Sequence, residues 1–134
     1  LVLIYSGFQL LIGFLLAINA VKFRFKTQIM LGDGGNTEML KATRSHGNWS
    51  EYAPAYIISL FLIAVVEGPI WLIHSIGIIS FIARASHGYG LNQEQDPNIF
   101  RQVGFVLSAL SMLLCDIELL VQCHYCFDNY RPNR

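Results

Sequence analysis

Arg44, Asn48, Glu51 and Tyr52 are spaced i, i+4, i+7, i+8 along the chain. On a helix they fall within one sector about 100° wide. The stripe offers a guanidinium fork for a carboxylate, an amide that both donates and accepts, a carboxylate for an ammonium, and a phenol. A zwitterionic ligand with several charged ends would satisfy all four. So would an internal network in which Arg44 pairs with Glu51. Ser80, Arg84 and His87 form a second polar face at helical spacing. His87 reads there as a ligand contact or as a hydrogen-bond donor at a membrane border.

The elements that must carry these stripes follow from composition. Of 134 residues, 54% are apolar and 13% charged, and the mean hydropathy is +0.46. Soluble domains carry about a quarter charged residues, and a short chain cannot hide the apolar excess in a large core. The chain therefore reads as an all-α integral membrane protein, a single domain over 1–134. Nine basic and nine acidic residues cancel, which excludes a basic nucleic-acid footprint and an acidic disordered tail.

Residues 1–21 carry no charge, and about 20 apolar residues span the hydrocarbon core as a helix. Without a basic n-region or a small-residue cleavage site, the segment reads as a first transmembrane helix rather than a signal peptide. Shorter uncharged runs at 52–66, 68–83 and 102–115 need polar flanks inside their helices. That predicts helices over 41–66, 69–89 and 99–127, a four-span bundle. Arg44, Asn48, Glu51, Arg84 and Asp116 are thereby drawn to membrane depth or its border, where ionisable groups are functional candidates. Glu67-Gly68-Pro69 breaks the middle run, with Gly ending one helix and Pro opening the next, so spans two and three form a hairpin. The connectors at 32–36 and 92–98 are turn-rich and short and polar, respectively.

On the first helix Ser6, Gln9, Gly13, Ala17 and Ala20 share a small or polar face, which suits close packing on another helix within or between chains. Arg24 continues that face and reads as an inward-pointing basic residue or a third snorkelling cation beside Lys22 and Lys26. Lys22, Arg24, Lys26, Lys41, Arg44, Arg84 and Arg101 lie at the first and third connections, against Arg131 and Arg134 at the other side. The positive-inside rule then puts loops one and three in the cytoplasm.

The string Arg44-Ser-His46-Gly-Asn48-Trp-Ser-Glu51-Tyr52-Ala-Pro54 resembles the signature Arg-x-x-x-Asn-x-x-Glu-x-x-Pro of the membrane-associated proteins in eicosanoid and glutathione metabolism, the MAPEG family. The Gly-Asp-Gly-Gly-Asn connector before it is similar to the bacterial branch, and the four-span layout covers the whole chain. The resemblance implies a homotrimer in a bacterial inner membrane, with glutathione sites between neighbouring chains near the cytoplasmic face. Glutathione brings two carboxylates, an ammonium and a thiol. By family pattern Arg44 would hold a carboxylate, Glu51 the ammonium, and Asn48 and Tyr52 the peptide backbone, with Arg24 a further glutathione contact. Prostaglandin-synthase-like members show Arg-x-x-His-x-x-x-Tyr on the third helix. Here Arg84 and His87 match, Leu91 stands where the Tyr belongs, and Tyr89 is nearby on another helical face, either a glutathione contact or an interfacial anchor.

Arg101 resembles the family arginine at the glutathione sulfur and is the catalytic candidate, with a membrane-border arginine as its bland reading. Only the thiolate is the nucleophile, and a nearby cation lowers the free-thiol pKa of about 8.5. The implied activity is a glutathione-dependent transferase, with peroxidase activity as variant chemistry, using glutathione as co-substrate and lipophilic electrophiles from the bilayer. The alternative is a non-catalytic lipid- or glutathione-binding scaffold of the same family. A four-span exporter would place an acid in an early span, and the first has none.

Asp116, Glu118 and Glu67 read as a solvated acidic rim in preference to a proton relay. Cys123-His-Tyr-Cys126 lacks the second ligand pair of a structural zinc site and the βαβ context of a redox motif, so no metal is expected and small apolar residues at a helix end suffice. Trp49, Trp71 and the phenylalanines read as span packing, and His46 and His74 have no evident partner.

Overall fold

The computed structural model describes residues 1–94 and 97–130. Arg131 and Arg134, used above for the charge asymmetry, lie outside the described residues, as does the middle of the third connector. Four helices follow one another, α1 (Val2–Thr27), α2 (Thr37–Val65), α3 (Ile70–Leu91) and α4 (Ile99–Tyr130), and no strand occurs among the described residues. Even the shortest, with 22 residues, is about 33 Å long at 1.5 Å per residue and matches a bilayer core of about 30 Å.

α3 runs two residues past the expected 89, to Leu91, and the end of α1 and the start of α2 differ from the expected ones for local reasons. α1 runs on to Thr27, where Gln28 takes a left-handed C-cap conformation (φ 58°). α2 begins earlier, at Thr37, because the Asn36 side chain accepts a hydrogen bond from Met39 N at 2.9 Å and Glu38 sits in the first turn, both favourable at a helix N-terminus. α4 extends three residues past the expected end, to Tyr130. The hairpin between α2 and α3 also differs in detail. Glu67, rather than Gly68, adopts the left-handed conformation (φ 57°). Gly68 N donates to Ile63 O at 2.8 Å and Glu67 N to Ala64 O at 3.2 Å, the bond pattern of a Schellman ending. Gly68 is required for space, since a Cβ there would lie 2.6 Å from Ile63 Cγ2 and 2.9 Å from Ile63 O.

The helices alternate in direction. Tyr5 meets His74, Gln9 meets Ser80 and Asn19 meets Asn92, so α1 is parallel to α3. Ser108 meets Arg84 while Glu118 lies beside the hairpin at Gly68, so α4 is antiparallel to α3. α2 and α3 touch each other and both flanking helices, whereas α1 and α4 share no contact among the described residues. The small-residue face of α1 packs within the chain: Gly13 lies flat on the Trp49 ring, where a Cβ would collide, and Trp49 Nε1 donates to Gln9 O at 3.0 Å. The two ends of the bundle differ in chemistry. Leu60, Ile63, Leu72, Ile73, Ile76 and Cys115 form an apolar core toward the hairpin. Buried polar groups, including Gln9, Ser45, Ser80, Arg84, His87 and Ser108, occupy the remainder of the interior.

α1, α3 and α4 are long and apolar enough to cross a membrane. α2 is long enough at 29 residues, but the polar stripe in its first half removes it from that class by composition. The outer surface carries Leu3, Phe14, Phe25, Trp71 and Leu120 well exposed. An apolar belt of that extent is what a bilayer covers and water does not tolerate.

Candidate functional site

Leu40, Lys41, Arg44, Asn48, His87, Leu91 and Arg101 enclose a cavity of about 200 Å³ at the bundle end that bears the first and third connectors. α2 supplies Lys41, Arg44 and Asn48 from successive turns of one face, α3 supplies His87 and Leu91 one turn apart, and α4 supplies Arg101 from its first turn. The convergence depends on how closely α3 and α4 cross. Gly104 lies against the backbone of His87 and Ala83, and Gly90 against the backbone of Arg101, with no room for a Cβ at either glycine. Asn98 locks the crossing by accepting from Arg101 N at 3.1 Å and donating to Gly90 O at 2.7 Å.

Arg84 lies behind this cavity rather than in its lining. It is 3% exposed, donates through Nη1 to Asn48 Oδ1 at 2.6 Å and through Nη2 to Ser108 Oγ, and lies 4.8 Å above the Tyr52 ring. One guanidinium thereby ties α2, α3 and α4 together. It also orients Asn48: with the amide oxygen taken by Arg84, the amide nitrogen is the donor left to face the cavity. Ser108 accepts Arg84 and donates to Gly104 O at 2.6 Å, and its carbonyl accepts from Tyr56 Oη at 2.8 Å.

Arg44 and Glu51 form an ion pair at 3.5 Å, and both side chains are more than half exposed. The pairing foreseen as an alternative exists, and it sits on the outer edge of α2, with Arg44 also lining the cavity. Arg24 is directed elsewhere: its Nη1 donates to Ile29 O at 3.2 Å and Met30 O at 2.8 Å, fastening the connector after α1. Tyr89 is exposed, packs edge-to-face on Phe100 with ring centroids 5.1 Å apart, and faces a groove beside α1. The residues brought together are thus Arg44, Asn48, His87 and Arg101, with Tyr52 and Arg84 as their support and Glu51 joined to them only through its ion pair with Arg44. Arg24 and Tyr89 stand apart from them within this chain, because each lies on a helix face turned away from the α2/α3/α4 junction.

Lys41 is a lining residue that sequence reasoning used only for topology. Its Nζ donates to Gln93 O and Glu94 O just beyond the end of α3, where a cation is favoured near the last carbonyls. The signal was present, since Lys41 precedes Arg44 by one turn on the same stripe. Ser108 had only the weaker signal of a hydroxyl within an apolar run. Leu91 places an aliphatic wall where the family pattern has a phenol.

Elsewhere, Tyr5 Oη lies 2.6 Å from His74 Nδ1, and His46 stacks on Trp49, so both histidines without an expected partner have one. Asp116 is exposed, and Glu118 accepts from Gln122 Nε2 at 2.8 Å near the hairpin. Cys123 and Cys126 are exposed on α4 and Cys115 is buried.

A model of the MAPEG family matches residues 2–120. The inner membrane protein YecN of Escherichia coli strain K12 is 28% identical over 118 residues, covering 88% of this chain and 85% of YecN. The protein of the same name from Escherichia coli O6:H1 strain CFT073 gives the same figures. No solved structure matches the chain. The first three helices, the polar stripe of α2 and α4 up to Leu120 fall within that matched span, and the chain is a membrane protein belonging to the MAPEG family.

Proposed function

We propose that the protein is a glutathione-dependent transferase of a bacterial inner membrane, conjugating the tripeptide thiolate to lipophilic electrophiles that arrive from the bilayer. The observation that supports this reading is the cationic cavity, in which Arg44, Asn48, His87 and Arg101 converge with no carboxylate among the described residues of its lining. Such a lining suits an anionic ligand. Arg44 takes a glutathione carboxylate, Asn48 donates to the backbone, and Glu51, one turn beyond Asn48, takes the ammonium. Tyr52 and Arg84 hold that arrangement from behind, and His87 donates from α3. Arg101 acts on the sulfur, lowering the thiol pKa from about 8.5 so that a larger thiolate fraction exists at neutral pH. The aliphatic Leu40 and Leu91 present a surface to an apolar second substrate. The protein works as a homotrimer with loops one and three cytoplasmic, the exposed Arg44–Glu51 edge being covered by a neighbouring chain, with Arg24 as a further glutathione contact across that interface.

The test is glutathione binding to detergent-solubilised protein, read by calorimetry and by thiolate absorbance, beside turnover of a model aryl electrophile. Glu51→Gln removes a charged partner worth about 1.5–3 kcal/mol, roughly 10- to 100-fold in affinity. Arg101→Ala raises the thiol pKa of bound glutathione toward about 8.5 and lowers turnover more than affinity, the pattern of a group acting at the reacting centre. Unchanged binding in Glu51→Gln, or unchanged thiolate titration in Arg101→Ala, contradicts the assignment. Native mass spectrometry with a three-chain species as the main state tests the trimer. Glutathione binding without turnover across several electrophile classes would favour the scaffold reading.

A further inference from the structure

On the far side of α3 from the cationic cavity, α1 and α3 enclose an open groove of about 420 Å³. Its two ends differ in chemistry. Leu15 and Leu16 line the end toward the bilayer centre, and Asn19, Lys22, Tyr89 and Asn92 line the end near the first and third connectors. From Leu15 to Lys22 the α1 axis rises about 10 Å at 1.5 Å per residue, so an apolar floor gives way to a polar mouth over the depth at which a lipid changes from acyl chain to headgroup.

The mouth is built and not merely fringed. Asn19 Nδ2 donates to Asn92 Oδ1 at 3.2 Å, and Asn92 Nδ2 donates to Gly88 O at 2.7 Å and Ser45 Oγ at 3.0 Å. This chain of amides fixes the spacing of α1 and α3 and uses up Asn92. Lys22 and Tyr89 line the same mouth, and no carboxylate lines the groove among the described residues. The nearby Lys26 is paired with Glu38 at 2.8 Å. Lys22 has no acidic partner among the described residues. A cation without an acidic partner among the described residues, set at headgroup depth above an aliphatic floor, calls for an anionic amphiphile, and basic pockets between transmembrane helices take such headgroups.

We infer that the α1/α3 groove is a site for an anionic phospholipid, with Lys22 on the phosphate, Tyr89 donating a second hydrogen bond to it, and Leu15 and Leu16 against an acyl chain. The site is separate from the glutathione cavity and independent of its chemistry.

The experiment is native mass spectrometry of the full chain in detergent, with phosphatidylglycerol and phosphatidylcholine of identical acyl chains supplied in equal amounts. The wild type retains phosphatidylglycerol several-fold in excess. Lys22→Gln brings that ratio to near one, Lys22→Arg keeps it because the charge persists, and Lys26→Gln keeps it because that cation is held by Glu38. No preference in the wild type overturns the inference. Equal losses in Lys22→Gln and Lys26→Gln also overturn it, since only diffuse surface charge would then be at work. Loss in Lys22→Arg equal to that in Lys22→Gln does the same.

Discussion

Arg84→Met asks whether the buried guanidinium belongs to the bundle or to a ligand. Met keeps most of the apolar volume and removes the hydrogen bonds to Asn48 and Ser108 and the stacking on Tyr52. Hydrogen bonds from charged groups are worth about 1.5–3 kcal/mol, whereas side-chain bonds measured between transmembrane helices average about 0.6 and reach about 1.7 kcal/mol. The 2.6 Å bond to Asn48, from a residue only 3% exposed, belongs where those ranges overlap, at about 1.5 kcal/mol. Ser108 loses less, because its hydroxyl still donates to Gly104 O. The aromatic contact adds about 1 kcal/mol. Opposing these losses, the substitution relieves a buried charge whose Nε has no partner. The net expectation is a destabilisation of about 2 kcal/mol, with a coupling of about 1.5 kcal/mol between Arg84→Met and Asn48→Ala in a double-mutant cycle. The assay is reversible unfolding in mixed micelles by increasing dodecyl sulfate, followed by tryptophan fluorescence. A coupling below about 0.5 kcal/mol, or an Arg84→Met protein with wild-type stability and abolished glutathione binding, would refute the reasoning and turn Arg84 into a ligand contact.

Gly104→Leu forces α3 and α4 apart at His87 and destabilises the bundle by about 1–3 kcal/mol through overpacking; thermal unfolding in detergent measures it, and glutathione affinity falls with it as Arg101 moves from His87. Gly13→Leu displaces the Trp49 ring and breaks its bond to Gln9 O, so Trp49 emission, isolated in a Trp71→Phe background, shifts while the α3/α4 crossing persists. Lys41→Met releases the carbonyls of Gln93 and Glu94, and faster hydrogen exchange at the last turn of α3, with helix content unchanged by circular dichroism, reports it. Tyr5→Phe removes the 2.6 Å bond to His74 and lowers stability by about 1 kcal/mol, read by the same unfolding titration.

Much of the architecture was legible because lipid allows few solutions. A short chain with this apolar share must be helical and membrane-bound, Glu67-Gly68-Pro69 must turn, and the spacing of Arg44, Asn48 and Glu51 must put them on one side of α2, since helical period alone decides which residues share a face. The family signature was likewise a matter of local order along one helix. Ends were less legible: whether α2 starts at Thr37 or Lys41 rests on a single amide at Asn36, a local competition that composition does not resolve.

Which faces meet was decided by the tertiary structure. Arg84 and Arg101 are alike as residue types near the ends of apolar runs, yet one is locked between Asn48 and Ser108 and the other lines the cavity. Tyr89 and His87 are two residues apart and open onto opposite sides of α3. Those outcomes depend on backbone approach at Gly104 and Gly90 and on the fit of Trp49 over Gly13, contacts between positions far apart in the chain. A helical period fixes the direction of a side chain about its own axis, but the rotation of one helix against the next is set by the volumes that meet between them, and that information exists only once the helices have packed.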